Sequence, residues 1–266
     1  MRRLTSSLAL LSLLLPALAL AEDAEAPTAQ AIVQAAYDAS RLDGAEMISQ
    51  LTISNAAGQS RVRKIAAVSR TYEGGIEKRL TRFLAPADVK GTGLLSVDYP
   101  EKTDDLWLFL PSLRKTRKIV SSERAKSFMG SEFTYSDITP PPLGDFVFTL
   151  LGSEEADGVD CWKLEEKPKD EDIADENGFS RRVAWIGKAD HVRRKVTYYD
   201  LDGELHRELS ATGVKLVDEK QGRYRPMQMT MKNLQNGRNS ELKIEKIQLR
   251  EDIPEDYFTT RYLERQ

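Results

Sequence analysis

The second half of this sequence is punctuated by turn signals: Asp190-His191, Asp202-Gly203, Gln221-Gly222 and Asn236-Gly237. Between them lie runs that read as strands, at Ser180 to Gly187, Val192 to Asp200, Glu204 to Leu216, Tyr224 to Asn233 and Ser240 to Leu249. Dipeptides of this kind tolerate the left-handed backbone that tight hairpins demand. Strands joined so closely have no room for the crossover helices of a parallel sheet, so consecutive antiparallel neighbours are the natural topology.

The first half follows the same rule. Met47, Ser49, Leu51 and Ile53 alternate against Gln50, Thr52 and Ser54, and Asn55 to Gln59 make a tight connection to a run from Arg61 to Tyr72. Glu73-Gly74-Gly75 turns the chain into Ile76 to Leu84. A loop from Pro86 to Gly93 then precedes Leu94 to Tyr99 and a strand opening at Leu106. Gly158 to Glu166 reads as a further strand. The expected fold is mainly β, with about ten or eleven strands and two or three short helices. No Pro/Gly/Ser linker divides it, so residues 22–266 are read as one domain.

Helical spacing appears at Ile32, Val33, Ala36 and Tyr37, with Thr28 as the cap, and again in a possible last turn at Thr259 to Leu263. Phe146, Val147, Leu150 and Leu151 have the spacing of a compact amphipathic helix, either a lid or a cap on one end of the core. Before it, Pro140-Pro141-Pro142 forbids regular structure. The acidic stretch from Glu166 to Asn177 reads as a solvated hairpin loop; it lacks the glycine-centred spacing of a calcium-binding EF-hand.

Arg2 and Arg3 precede an apolar run from Leu8 to Leu20, and Ala19-Leu20-Ala21 has the small-x-small form of a cleavage site. Residues 1–21 are therefore read as a secretory signal peptide, so the mature chain is expected to be exported. Glu22 stands where a lipoprotein would carry its acylated cysteine. The single Cys161 permits no internal disulfide, so stability must come from the core. Loss of Arg2 and Arg3 moves the formal charge from −3 to −5, a balance that does not indicate nucleic acid as a partner.

Residues for catalysis are sparse. His191 and His206 are the only histidines, and neither has metal-ligand spacing, so no metal or cofactor is expected. The chain lacks a Gly-x-Ser-x-Gly elbow, and Lys90-Gly91-Thr92-Gly93 is not a phosphate-binding loop. A binding protein is expected, not an enzyme.

The positive signals concern apolar matter. Leu106, Leu108 and Leu110 point to one side of an extended segment while Trp107 and Phe109 point to the other, so this strand needs cover on two faces. Either set is a candidate lining for a cargo site. Met227, Met229 and Met231 alternate along one strand as flexible side chains, suited either to a cavity of variable shape or to gap-filling in a core. Phe146 and Leu150 complete the candidate lipid-binding residues. Arg114, Lys115, Arg117 and Lys118 form a basic run beside the two-faced strand, a candidate contact for lipid phosphate, for an anionic membrane surface touched transiently, or for a partner.

Three phrases carry a family resemblance: Phe83-Leu84-Ala85-Pro86-Ala87-Asp88-Val89-Lys90-Gly91-Thr92, then Trp107 through Ile119, then Gly130-Ser131-Glu132-Phe133-Thr134-Tyr135-Ser136-Asp137. With them the chain resembles the outer-membrane lipoprotein-sorting family related to LolA, and more narrowly its larger branch associated with transporters of the resistance-nodulation-division type. The resemblance implies an incomplete, strongly curved antiparallel β-barrel whose concave apolar side is covered by helices. It also implies a periplasmic carrier that holds acyl chains of a lipoprotein or lipid and transfers them between membranes. No catalytic residue and no cofactor comes with it. The chain departs from the compact LolA pattern in its length, in Pro140 to Pro142 and in the acidic segment. A periplasmic adaptor that docks to such a transporter without carrying cargo is the alternative.

Overall fold

A computed structural model describes residues 26–265. The expected signal peptide lies outside the described residues. After helix α1 (Ala29–Ala39) the chain forms β1 (Gly44–Ser54), β2 (Ser60–Thr71), β3 (Glu77–Ala85), β4 (Gly93–Tyr99), β5 (Lys102–Leu110) and β6 (Lys115–Ile119). A long connection containing α2 (Tyr135–Ile138) leads to β7 (Phe146–Ala156) and β8 (Val159–Pro168), followed by α3 (Glu171–Asn177). The remaining strands are β9 (Arg181–Gly187), β10 (Arg193–Tyr199), β11 (Leu205–Thr212), β12 (Lys215–Asp218), β13 (Arg223–Arg225), β14 (Gln228–Asn233) and β15 (Asn239–Leu249); α4 (Thr260–Leu263) closes the chain.

Thirteen strands form one sheet in the order β6-β5-β4-β3-β2-β1-β15-β14-β11-β10-β9-β8-β7, with β12 and β13 as a separate hairpin. Every pairing in the large sheet is antiparallel, and β1 joins β15 in its middle. The sheet does not close: β6 and β7 are its two edges, although they are consecutive in the chain. Residues 120–145 must therefore span from one edge to the other. They do so across one face, where Phe128, Phe133 and Tyr135 enter the main core.

Period-2 alternation assigns residues to the two faces. On this inner face, Leu51, Ile53, Ile65, Phe83, Leu94, Leu106 and Leu108 meet Ile32, Val33 and Ala36 of α1. Thr28 caps that helix by accepting a hydrogen bond from the Ala31 N–H at 3.2 Å. On the outer face Leu80, Leu95 and Phe109 are covered by Ile253, Phe258 and Leu263 of the C-terminal tail. The two-faced strand β5 is thus covered on both sides by different parts of the chain.

Four local readings change. Phe146 to Leu151 is strand, not helix. Phe146, Phe148 and Leu150 alternate toward the core and pair opposite Pro168, Glu166 and Leu164 of β8, so sheet pairing overrides an i, i+4 pattern equally compatible with a helix. The acidic segment contains α3, because Asp170 accepts from the Ile173 N–H at 2.9 Å and Gly178 ends the helix in the left-handed region at φ 73°. Glu171 and Asp172 sit in its first turn, where the helix dipole favours carboxylates. The run expected at Glu204 to Leu216 divides at Gly213, and that at Tyr224 to Asn233 divides at Pro226, which has no amide hydrogen to contribute to a ladder. These breaks create the β12–β13 hairpin, and with β6 and β7 they bring the strand number to fifteen, above the ten or eleven expected.

Candidate functional site

The apolar candidates from the sequence occupy three environments. Leu106 and Leu108 are packed into the inner core and Leu110 lies against it, whereas Trp107 and Phe109 face the C-terminal tail. Met231 is fully buried in the inner core, and Met227 precedes β14. Leu150 packs against the core margin. Met229 and Phe146 line open space.

That space is a pair of cavities beneath the inner face, about 250 and 260 Å³ in volume, which share Tyr37, Ser40, Pro140, Arg225 and Met229. One extends toward Leu143, Phe146, Val192 and Leu209, the other toward Met47, Ile65, Phe128 and Ile244. Together they fall within the roughly 300–1,000 Å³ typical of small-molecule sites. The end of α1 and the crossing connection at Pro140 form their roof. The long irregular segment is thus held by its ends at the two sheet edges while its proline-rich part covers the opening between them.

The walls are not uniformly apolar. In strand phase with Phe83 stand Glu77, Arg79 and Thr81, and in phase with Leu94 stands Asp98. Arg79 donates to Glu77 at 2.5 Å. Arg41 is 3.0 Å from Asp98, and the Tyr37 hydroxyl donates to Asp98 at 3.1 Å. Burial drives the Asp98 carboxyl above its ordinary range against the pull of Arg41, and burial together with Asp98 raises the Tyr37 phenol. Burial also acts to raise Glu77, but the Arg79 and Arg225 guanidiniums outweigh it and hold the carboxyl low.

A second buried network borders the other cavity. Glu166 is fully buried and accepts from Arg182 Nε at 2.6 Å and from Arg193. Arg182 also lies within 5.1 Å of the Phe179 ring centre. Asp137 accepts from Arg207 at 2.7 Å and from the Thr134 N–H at 2.8 Å, which ties the crossing connection to the sheet. None of these charged residues was among the sequence candidates. Their strand phase was the available signal, since Glu77 and Arg79 alternate with Phe83 on the core side.

The basic run lies away from the cavities, on the edge strand β6. Arg117 pairs with Glu123 at 2.6 Å and Lys118 with Asp105 at 2.6 Å, while Arg114 and Lys115 are exposed. A short charged edge strand also discourages edge-to-edge pairing with another sheet. A more open groove of about 630 Å³ runs along the outer face between β1–β3 and Tyr257 and Tyr262 of the tail. Among the described residues, no group of three or more His, Cys, Asp or Glu could hold a metal ion, and no helix is long and apolar enough to cross a membrane.

Comparison with known proteins adds to this geometry. Residues 75–265 match the model of a family described as "-like: Uncharacterized protein". A structure described as an outer membrane lipoprotein-sorting protein domain from Vibrio parahaemolyticus is similar at 29% identity, covering 89% of this chain and 98% of that one, with a TM-score of 0.81. A DUF1329 family protein from Desulfovibrio piger is similar at 26% identity over 90% of this chain and 100% of its own, with a TM-score of 0.79. A LolA superfamily protein from Nitrosomonas europaea shares the fold at 22% identity, with a TM-score of 0.67 over 89% of this chain and 100% of its own. No curated protein matches the chain at a significant level.

Proposed function

From the premise that the chain belongs to the family of uncharacterized proteins whose model spans residues 75–265, and that its fold is LolA-like, we propose that it is a periplasmic carrier of acyl chains. The observation that carries this reading is the paired cavity under the inner face, lined at its junction by Met229 and roofed by α1 and Pro140. Acyl chains of a lipoprotein or a lipid occupy the cavity and pass between membranes, with no covalent chemistry. Burial of one long chain, at about 0.8 kcal/mol per methylene, offers on the order of 10 kcal/mol before ordering costs. The signal peptide read at residues 1–21 supports export.

The lining that serves cargo is Met229 and Phe146, with Leu150 and Met231 packed in the same core; Leu106, Leu108 and Leu110 support the inner wall, and Trp107 and Phe109 anchor the tail on the outer one. The test is native mass spectrometry with lipid extraction of the protein purified from a periplasmic fraction. Co-purifying acyl lipid is expected. Absence of lipid, with no uptake of a fluorescent fatty acid, refutes the carrier.

The exposed basic edge supports a second reading, in which β6 docks to a transporter of the resistance-nodulation-division type or to an anionic membrane. Charge reversal at Arg114 and Lys115 then abolishes association while lipid uptake persists. Unchanged association refutes docking through this edge.

A further inference from the structure

Three buried polar atoms without hydrogen-bond partners among the described residues, Arg225 Nε, Arg79 Nε and His191 Nδ1, belong to residues that line the paired cavity. Buried polar groups are almost always satisfied, so unpaired ones in residues that line a cavity call for a partner. Arg79 already has a carboxylate partner in Glu77, and the other guanidiniums in the walls are matched as well: Arg41 by Asp98, and Arg182 and Arg193 by Glu166. Arg225 has no ion pair among the described residues. It lines both cavities.

The fold delivers Arg225 to this place by an unusual route. It sits on β13, outside the large sheet, in the hairpin made by the breaks at Gly213 and Pro226. One guanidinium nitrogen donates to the Ser40 carbonyl oxygen at 2.6 Å, which fixes the side chain against the C-terminal end of α1. The residue is half-buried, yet its Nε is fully enclosed. Burial and the neighbouring Arg79 lower its pKa to about 10, still far above neutral, so it carries a full charge. A cation with no direct ion-pair partner, offset only at longer range by Glu77, is costly to keep in a partly apolar chamber, and an anionic ligand oxygen would offset that cost.

We propose that the paired cavity takes an amphiphile with an anionic head group, a carboxylate or a phosphate, which Arg225 binds at the junction while the acyl chain runs past Met229 toward Phe146 or Ile65. This rests on the carrier reading and names the ligand class of the same site. Arg79 lines the cavity on one side of the junction and His191 the cavity on the other, whereas Arg225 lines both. Glu77, Asp98 and Asp137, which also line the space, are each already paired to a cation.

The test uses delipidated full-length mature protein and four probes: palmitate, palmitoyl lysophosphatidate, hexadecanol and inorganic phosphate. Palmitate and the lysophosphatidate bind about ten- to a hundredfold more tightly than hexadecanol, the range a charge-assisted hydrogen bond provides. R225Q brings the ratio close to one, and R225K restores most of the preference. Inorganic phosphate at millimolar concentration displaces neither lipid. Equal binding of charged and neutral probes by the unaltered protein overturns the proposal while leaving the carrier reading intact. Phosphate binding as tight as that of the lysophosphatidate also overturns it, since the site would then serve a free anion. Failure of every acyl probe to bind refutes the carrier reading instead. If R225Q does not fold, the preference of the unaltered protein and of R225K decides the matter.

Discussion

Glu166→Gln isolates the cost of the buried charges that border the cavity. Glu166 lies on β8 in phase with Leu164, its side chain has no exposure, and its two carboxylate oxygens are taken up by Arg182 and Arg193 from β9 and β10. Arg182 is only 12% exposed and Arg193 28%. Burial alone would raise the Glu166 carboxyl, but the two guanidiniums hold it below the usual range. The neutral amide leaves both cations without their counter-charge, a loss of about 3–5 kcal/mol for a buried pair. With a urea m-value near the top of the usual range, about 3 kcal/mol per molar, the unfolding midpoint falls by roughly 1–2 M. The effect shrinks as pH falls. A depressed carboxyl contributes stability above its unfolded pKa, near 4.3, and that contribution disappears as pH drops through the folded value. Replacing the pair together, as E166L/R182L, recovers most of the loss, because Arg193 is exposed enough to turn to water. The assay is urea unfolding followed by tryptophan fluorescence at pH 7.5 and pH 4. A midpoint shift below about 0.3 M at pH 7.5, with unchanged m, refutes the assignment of this network as a stabilising one.

Three further outcomes follow from the same geometry. Phe179→Ala removes a fully buried ring stacked on Phe146 at 6.0 Å and set edge-on to Tyr198 at 5.7 Å; it costs about 3–5 kcal/mol in chemical unfolding, and a loss under about 1 kcal/mol contradicts the packing. Gly44→Ala places a Cβ into the Arg250 carbonyl oxygen, so the β1–β15 seam must open locally; hydrogen exchange at Arg250, whose N–H donates to Gly44 at 2.9 Å, accelerates, and unaltered protection counts against that close approach. Asp104 is raised to about 7 by burial and by Asp98, against the opposing Arg124. The folded state therefore holds a proton that the unfolded chain releases near pH 4, and stability falls as pH rises from about 4 to 7, by on the order of 4 kcal/mol from this group. Asp104→Asn flattens that part of the profile, and an unchanged slope in melting temperature between pH 5 and pH 8 refutes it.

How far the site can be read from the chain depends on the range of the interactions involved. The run of hairpins, the helix capped by Thr28 and the two apolar faces of the Leu106 to Leu110 strand were all visible, because alternation and turn chemistry belong to residues adjacent in sequence. Phe146 to Leu151 was misread because its apolar spacing satisfies two periods, and only the pairing with β8 selects one. The acidic segment was misread because Asp170 and Gly178 act as caps, a signal hidden within a charge-rich stretch. Met229 was visible as one of three alternating methionines, but its separation from the buried Met231 depends on where the roof ends.

Arg225 was the least legible of the site residues. In the sequence it is one arginine near the start of the run read as a single strand from Tyr224 to Asn233, just before Pro226. Its position follows from two chain breaks that lift β12 and β13 off the sheet and set them against α1, which lies almost two hundred residues earlier. Turn residues and side-chain period, being local, determine an antiparallel sheet of successive hairpins whichever way it curves. Whether that sheet closes, which of its faces is roofed, and which charges the roof encloses depend on contacts between distant segments. Those contacts form only when residues 120–145 have crossed from one edge to the other, and it is this crossing that leaves a chamber beside a packed core.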